Sequence, residues 1–342
     1  MIQVIILVKD NYFDVVNPKN KIKPASYSVF LIFTIVGLFF TFHCNNLQYI
    51  FEYYLIRQER QIMKVAVTTA SGNLGGEIIK VLVKEIGAEN VIGIVRTLEK
   101  AEHLGVEIKR GDYNNKEDFN KALKGVDVVL LVSGMDHPDN RIGQHRNVIN
   151  AAKVCGVKKI VYTSIIGKDG SSTFDAIVKS NRQTEKDIQE SGLEWSIGRN
   201  GLYIEPDVEY IDKYRVLGKI ANSGADGLCA YTTREELAFA YSQMILNDDR
   251  NSKVYNLAGE AITQKQLTNY LNQTFGINLK YEGMSVEDYL RFQQKNNGEF
   301  LGTVIAGIYS KIRYGEFNVD SDFEAAAGRK HISWDNYFEQ LS

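Results

Sequence analysis

Cysteine is scarce, with three in 342 residues (Cys44, Cys155 and Cys229), far apart and without a CxxC pair. That argues against a disulfide framework and a structural zinc site, and it suits a reducing compartment. Proline is nearly as rare, four in all, so no Pro-rich linker marks a boundary and the working parts are expected to share one continuous body. Neither sign of charge is in excess: 40 Lys and Arg against 42 Asp and Glu leave a formal net charge of −2. Such a balance gives no footprint for direct nucleic-acid binding or for an anionic membrane surface. Internal repeats and low-complexity segments are also missing. The 44% hydrophobic and 24% charged content is that of a soluble globular protein, long enough for one large α/β domain and a smaller lobe.

One long uncharged run does occur, residues 25–42 (ASYSVFLIFTIVGLFFTF), the minimum length for a transmembrane helix. As an anchor preceded by Lys19, Lys21 and Lys23 it would keep the N-terminus in the cytoplasm and export everything downstream. The alternative is that residues 1–62 form an extension outside the working protein. Met63 is followed at once by Lys64 and the apolar strand Val65–Thr68, and codons for Gln58-Glu59-Arg60 are able to encode a ribosome-binding sequence. We favour the second reading and a cytoplasmic location. The expected division is an extension over 1–62, a dinucleotide-binding domain over 63–200, and mainly a C-terminal substrate-binding lobe over 201–342.

From Met63 onward strand, turn and helix alternate, which predicts a doubly wound α/β domain with a parallel, Rossmann-like sheet. Short apolar strands are expected at 64–69, 90–95, 106–110, 127–132, 159–164 and 194–198. Leu74–Ile86 carries Ile78, Ile79, Val81, Leu82 and Val83 at helical spacing. Further helices are expected at 116–123, 143–155 and 181–190. After Arg199 the alternation weakens, with helices at 233–247, 264–275 and 286–294 and a strand at 253–256.

The run Thr68-Thr69-Ala70-Ser71-Gly72-Asn73-Leu74-Gly75-Gly76 stands between a strand and a helix. There the backbone is able to approach a pyrophosphate, and the helix N-terminus offers free N–H groups. In a G-x-x-G-x-x-G register Gly72 permits close approach and Gly75 lets the helix pack. Thr69 replaces the usual first glycine, and because a β-branched residue resists positive φ the turn is expected to adjust there. At the end of the second strand stands Arg96 where NAD-binding proteins place a carboxylate, which favours NADPH through its 2′-phosphate, with Thr97 and Lys100 able to help. Thr163 and Ser164 end the fifth strand, and Lys186 follows in the next helix. This is the layout of a short-chain dehydrogenase site, except that Arg182 occupies the position of the usual tyrosine. His137 and His145 read as surface or helix-start residues.

Together with Gln144–Lys153 (QHRNVINAAK), Thr184-Glu185-Lys186, Arg199-Asn200-Gly201 and Val254–Gly259 (VYNLAG), these residues resemble the NmrA-like atypical short-chain dehydrogenases. Within them the chain is most similar to the group of NAD(P)H:quinone oxidoreductase type 2 and triphenylmethane reductase. The resemblance implies cofactor contacts from Thr69, Ser71, Gly72, Asn73, Leu74, Arg96, Gly111, Asp112 and Tyr113. It also implies a nicotinamide pocket near Val132, Ser133 and Gly134, with Thr163, Ser164 and Lys186 as the catalytic candidates. The expected activity is hydride transfer from NADPH to a quinone or another conjugated acceptor, whose reduction asks little of an acid because the charge is delocalised. A second class stays open, a dinucleotide-binding redox sensor that contacts a protein partner. A homodimer is the default assembly.

Overall fold

The computed structural model describes residues 6–8, 29–31, 63–168 and 173–342, in two compact units, Met1–Glu59 and Arg60–Ser342. In the first, β1 (Ile6–Val8) pairs antiparallel with β2 (Val29–Leu31). The rest of the apolar run 25–42 lies outside the described residues, and with it the choice between anchor and extension. No helix among the described residues is long and apolar enough to cross a membrane.

In the second unit seven strands form one parallel sheet. They are β3 (Val65–Thr68), β4 (Val91–Val95), β5 (Glu107–Arg110), β6 (Val128–Val132), β7 (Lys159–Ile165), β8 (Glu194–Asn200) and a late strand, Lys253–Leu257. From β3 the chain works outward through β4 and β5, then crosses to the other side of β3 for β6, β7, β8 and the late strand. The β3/β6 boundary is therefore the switch point, where a crevice opens at the carboxyl ends of the strands. Every residue of β3, β4 and β6 is buried, as continuous apolar runs require when helices cover both faces.

Helix α1 (Asn73–Ile86) turns Leu74, Ile78, Ile79, Leu82 and Ile86 inward, and each such aliphatic side chain contributes about 1.5–3 kcal/mol on burial. Val81 and Val83 are half-buried on its flanks. It shares one face of the sheet with the helix Arg234–Leu246. The other face is covered by α2 (Lys116–Ala122), α3 (Pro138–Cys155) and α4 (Thr173–Gln189). Two of these start earlier than their patterns predict. α3 begins at Pro138, whose ring suits a first helical turn, with His137 capping it by accepting from the Asp139 N–H at 3.4 Å. α4 begins eight residues before Asn181, because Phe174 and Val178 anchor its first turns in the core of the second lobe.

Beyond residue 200 the chain serves both parts. β9 (Leu202–Tyr203), β11 (Leu228–Thr232) and β13 (Ala261–Thr263) form a small sheet, and β10 (Lys219–Asn222) pairs with β14 (Lys280–Gly283). The late strand, β12, returns to the large sheet. Helices α5 (Glu205–Glu209) and α6 (Ile211–Leu217) precede the sheet-covering helix, α7; α8 (Gln264–Phe275), α9 (Val286–Asn297), α10 (Glu299–Arg313), α11 (Phe323–Ala327) and α12 (Trp334–Glu339) follow it. α10 was not foreseen from the sequence. It folds back along α9 through Gly298 at φ +80°, and the two helices nearly touch at Gly302. A Cβ there would fall 2.5 Å from backbone atoms of Gln293 and Gln294.

Two glycine substitutions are expected to move stability in opposite directions. Gly302→Ala forces the hairpin apart and costs about 1–3 kcal/mol. Gly143→Ala, in α3 with open space around its missing Cβ, adds about 0.5–1 kcal/mol. Urea unfolding of both variants beside wild type measures the pair; equal effects would contradict the close crossing.

Candidate active site

A cavity of about 910 Å³ opens at the switch point, and Thr69, Ser71, Gly72, Asn73 and Leu74 line its first end. The expected adjustment of the turn does not occur: Thr69 itself takes the left-handed conformation, at φ +50°. The strain that this implies for a β-branched residue is held by two backbone bonds, Ala70 N–H to the Ile94 carbonyl and Gly72 N–H to the Thr69 carbonyl. A Cβ on Gly75 would lie 2.5 Å from the Thr69 oxygen, so this glycine does let the helix start against the turn. Gly72 is the N-cap of α1, no side chain caps the helix, and its first turn carries no acid. Such an end is open to an anion, and the cradle fits a dinucleotide pyrophosphate.

Arg96 lies exposed at the end of β4, on the cavity wall, with no hydrogen bond or ion pair to another described residue. Thr97 and Lys100 are exposed beyond it and do not line the cavity. Asp112 and Tyr113 do, although Tyr113 is wedged rather than free. Its hydroxyl lies 2.7 Å from Thr68 Oγ1 and donates to the Val132 carbonyl. Its ring lies 3.4 Å from the place a Cβ on Gly134 would occupy, and burial pushes its phenol far up, so it stays protonated.

On the β6/β7 side of the cavity Thr163 Oγ1 accepts from the Ser133 N–H at 2.8 Å. Ser164 is committed elsewhere. Its hydroxyl donates to Glu185 Oε1 at 2.6 Å and accepts from Arg182 Nη1 at 3.1 Å. Arg182 also donates to Glu185 at 2.6 Å and to the carbonyls of Ile165 and Gly167, while Arg199 clasps the same carboxylate at 2.6 and 3.0 Å. Burial pushes Glu185 up, but hydrogen bonds from Arg199 and Ser164 and the two guanidinium charges outweigh it, so its pKa lies below the ordinary carboxylate range. Arg182 at the usual tyrosine position is thus a strut between α4 and the loop after β7.

Lys186 does not reach the cavity. The inward face of α4 is Val178, Asn181, Thr184, Glu185 and Ile188, a helical spacing that turns residue 186 outward. Its side chain is exposed, 3.9 Å from Glu190, and absent from the cavity wall. His145 corrects in the other direction, being fully buried. Its Nε2 accepts from the Gly134 N–H, so Nδ1 carries the proton and donates to Thr184 Oγ1. Burial and the nearby Arg141 charge push its pKa down to about 3, which keeps the ring neutral. Arg141, one turn earlier, has no signal in the sequence, where it falls just before the helix expected at 143–155. It is 4% exposed, lines the cavity, and donates from Nη2 to Ser133 Oγ at 2.5 Å.

The far end is apolar. Ile166 and Phe174 meet Phe300, Leu301, Val304 and Ile308 from α10 across the opening.

A family model described as NAD(P)H-binding matches residues 69–246, from the strained turn to the end of α7. The chain belongs to this family. Quinone oxidoreductase 2 of Escherichia coli (strain K12) is 35% identical over 229 residues, 66% of this chain and 79% of that protein. The Escherichia coli NADPH-dependent quinone oxidoreductase solved with NADPH superposes with a TM-score of 0.74 at 30% identity, over 81% of this chain and 99% of that one. Triphenylmethane reductase of Citrobacter sp. complexed with NADP(H) gives 0.75 at 31%, over 82% and 100%. The protein is an NAD(P)H-dependent oxidoreductase of the NmrA-like, Rossmann-like type.

Two measurements check the site as built. Lys186→Ala is expected to leave turnover and cofactor affinity within about twofold, since an exposed i,i+4 pair contributes little; a larger loss would return Lys186 to the chemistry. Glu185→Gln uncouples two guanidinium groups from a buried partner and costs about 3–5 kcal/mol. Because the folded pKa of Glu185 is lowered, its contribution is complete above the ordinary glutamate value of about 4.3 and fades as pH falls below it. The stability gap between wild type and Glu185→Gln should narrow as pH falls from 7 to 3.

Proposed function

We propose that the protein passes a hydride from NADPH to a quinone-like or otherwise conjugated small-molecule acceptor, in the cytoplasm. The observation that carries this reading is the make-up of one continuous cavity: an anion cradle at one end, apolar walls at the other, and no tyrosine or lysine at the acid positions between them. Reduction of an isolated ketone calls for a positioned acid, and Arg182 is locked to Glu185 while Lys186 faces solvent. A conjugated acceptor spreads the incoming charge and manages with a proton from water.

When bound, the reduced nicotinamide supplies the hydride. The protein's own share is to bind and orient. The turn 69–74 and the open end of α1 hold the pyrophosphate, and Arg96 meets the 2′-phosphate. Thr163 fixes the Ser133 backbone beside the nicotinamide place, and Ile166, Phe174 and the α10 side chains exclude water from a flat acceptor. The quinone oxidoreductase and the triphenylmethane reductase named above support this acceptor class, since quinones and such dyes are both extended and conjugated.

A screen of electron acceptors at fixed NADPH tests the reading: quinones should oxidise NADPH far faster than simple ketones. No turnover with any acceptor would favour a redox sensor. Cofactor choice tests Arg96 separately. A charge-assisted contact contributes about 1.5–3 kcal/mol, or roughly ten- to a hundredfold preference for NADPH over NADH. Arg96→Asp should erase or invert that ratio of dissociation constants; an unchanged ratio would make Arg96 a bystander.

A further inference from the structure

Only two cationic side chains are fully buried among the described residues, Arg141 and Lys159. Lys159 sits at the amino end of β7, away from the crevice, with Asp248 at 3.9 Å and the Asn247 carbonyl at 3.2 Å. The half-buried cations of the interior are paired too, Arg182 and Arg199 with Glu185 and Lys311 with Asp175 and Glu316. Arg141 has no carboxylate within ion-pair distance among the described residues. Its Nη2 donates to Ser133 Oγ and, at 3.4 Å, to Asn181 Oδ1, both neutral, and its Nε is buried without an acceptor. The neighbouring phenols do not neutralise it, because burial holds Tyr113 and Tyr162 protonated, and His145 beside it is uncharged. A guanidinium taken out of water without a counter-charge is costly. This one is kept on the wall of the cavity that receives ligands.

We propose that Arg141 is the cation that takes up the negative charge left on the acceptor when it is reduced, and so a catalytic residue that favours acceptors whose reduced form is an oxyanion. The proposal rests on the quinone-reductase reading above. The phosphates of the cofactor have their places on the β3/β4 side of the crevice, at the α1 end and Arg96. Arg141 lies on the β6/β7 side, between Ser133 after β6 and Asn181, whose Oδ1 accepts from the Tyr162 hydroxyl at 2.6 Å. Charge bookkeeping points the same way. A neutral quinone that gains a hydride, one hydrogen with two electrons, becomes a hydroquinone monoanion, with the hydrogen on one oxygen and the charge on the other. The nicotinamide is oxidised in the same step. A proton from water then completes the hydroquinone, and the guanidinium stays protonated throughout. Held in place by Ser133 and Asn181, it acts without reorganising, as electrostatic stabilisation in a dry site requires.

Arg141→Met and Arg141→Lys test this with three readouts. The dissociation constant of NADPH should stay within about threefold of wild type in both variants, because other groups hold its phosphates. For Arg141→Met, kcat should fall at least about tenfold with quinones whose hydroquinones are weak acids, and less with those whose hydroquinones are strong acids; Arg141→Lys should recover part of the loss. In protein loaded with NADP+, 4-nitrophenol serves as an oxyanion probe. Wild type should bind it as the phenolate at a pH where it is mostly neutral in water, and Arg141→Met should not. The proposal is overturned if Arg141→Met weakens NADPH with kcat intact, if kcat falls equally for all acceptors, or if the probe's ionisation is unmoved by wild type. Should wild type reduce no quinone at all, the quinone reading fails on that result, and the phenolate arm alone still decides the role of Arg141.

Discussion

Beyond Val67 and Leu130 the strands β3 and β6 part, and one hydroxyl keeps that parting from stranding backbone groups. The paired register ends there, which would leave the Leu130 carbonyl and the Val132 N–H open between buried strands. Thr68 Oγ1 lies 3.1 Å from the first and 2.9 Å from the second, and the Tyr113 hydroxyl takes the Val132 carbonyl. Unmet buried backbone groups are among the more expensive faults in a fold. With them met, the sheet is able to open a crevice at its switch point without losing its continuity below. The glycine turn, the Ser133 backbone and the end of β7 all take their positions from that opening.

Much of this was legible in the sequence because it rests on local pattern. The apolar run at 127–132 marks a doubly covered strand, and the turn from Thr69 to Gly75 stands between a strand and a helix as its pattern predicts. What escaped depended on partners distant in the chain. The first turns of α4 follow from Phe174 packing into the second lobe, and α10 from a crossing that only a glycine at 302 permits. The spacing of Asn181, Thr184, Glu185 and Ile188 does contain the outward direction of Lys186. Arg141 left no such trace, since a buried guanidinium and a solvated one look alike until the neighbours are known.

The electrostatics of the cavity divide along the same line as its topology. On the β3/β4 side the positive features are open, the uncapped end of α1 and the exposed Arg96. Elsewhere on the wall they are enclosed, with Arg234 paired to Glu209 and Arg141 held by neutral groups. Open cations suit a highly charged, reversibly bound dinucleotide in contact with water. Enclosed ones act at short range and in a lower dielectric, where chemistry rather than capture is at stake.

The α9–α10 hairpin has a bearing on how such an enzyme diversifies. Four apolar side chains of the cavity wall, Phe300, Leu301, Val304 and Ile308, belong to one helix outside the large parallel sheet. Substitutions along this short stretch would alter that wall, while the glycine turn of residues 69–75 lies more than 200 residues earlier in the chain. The wall is in effect a cassette. The close approach of the two helices at Gly302 sets how far that segment can be altered before the hairpin is forced apart.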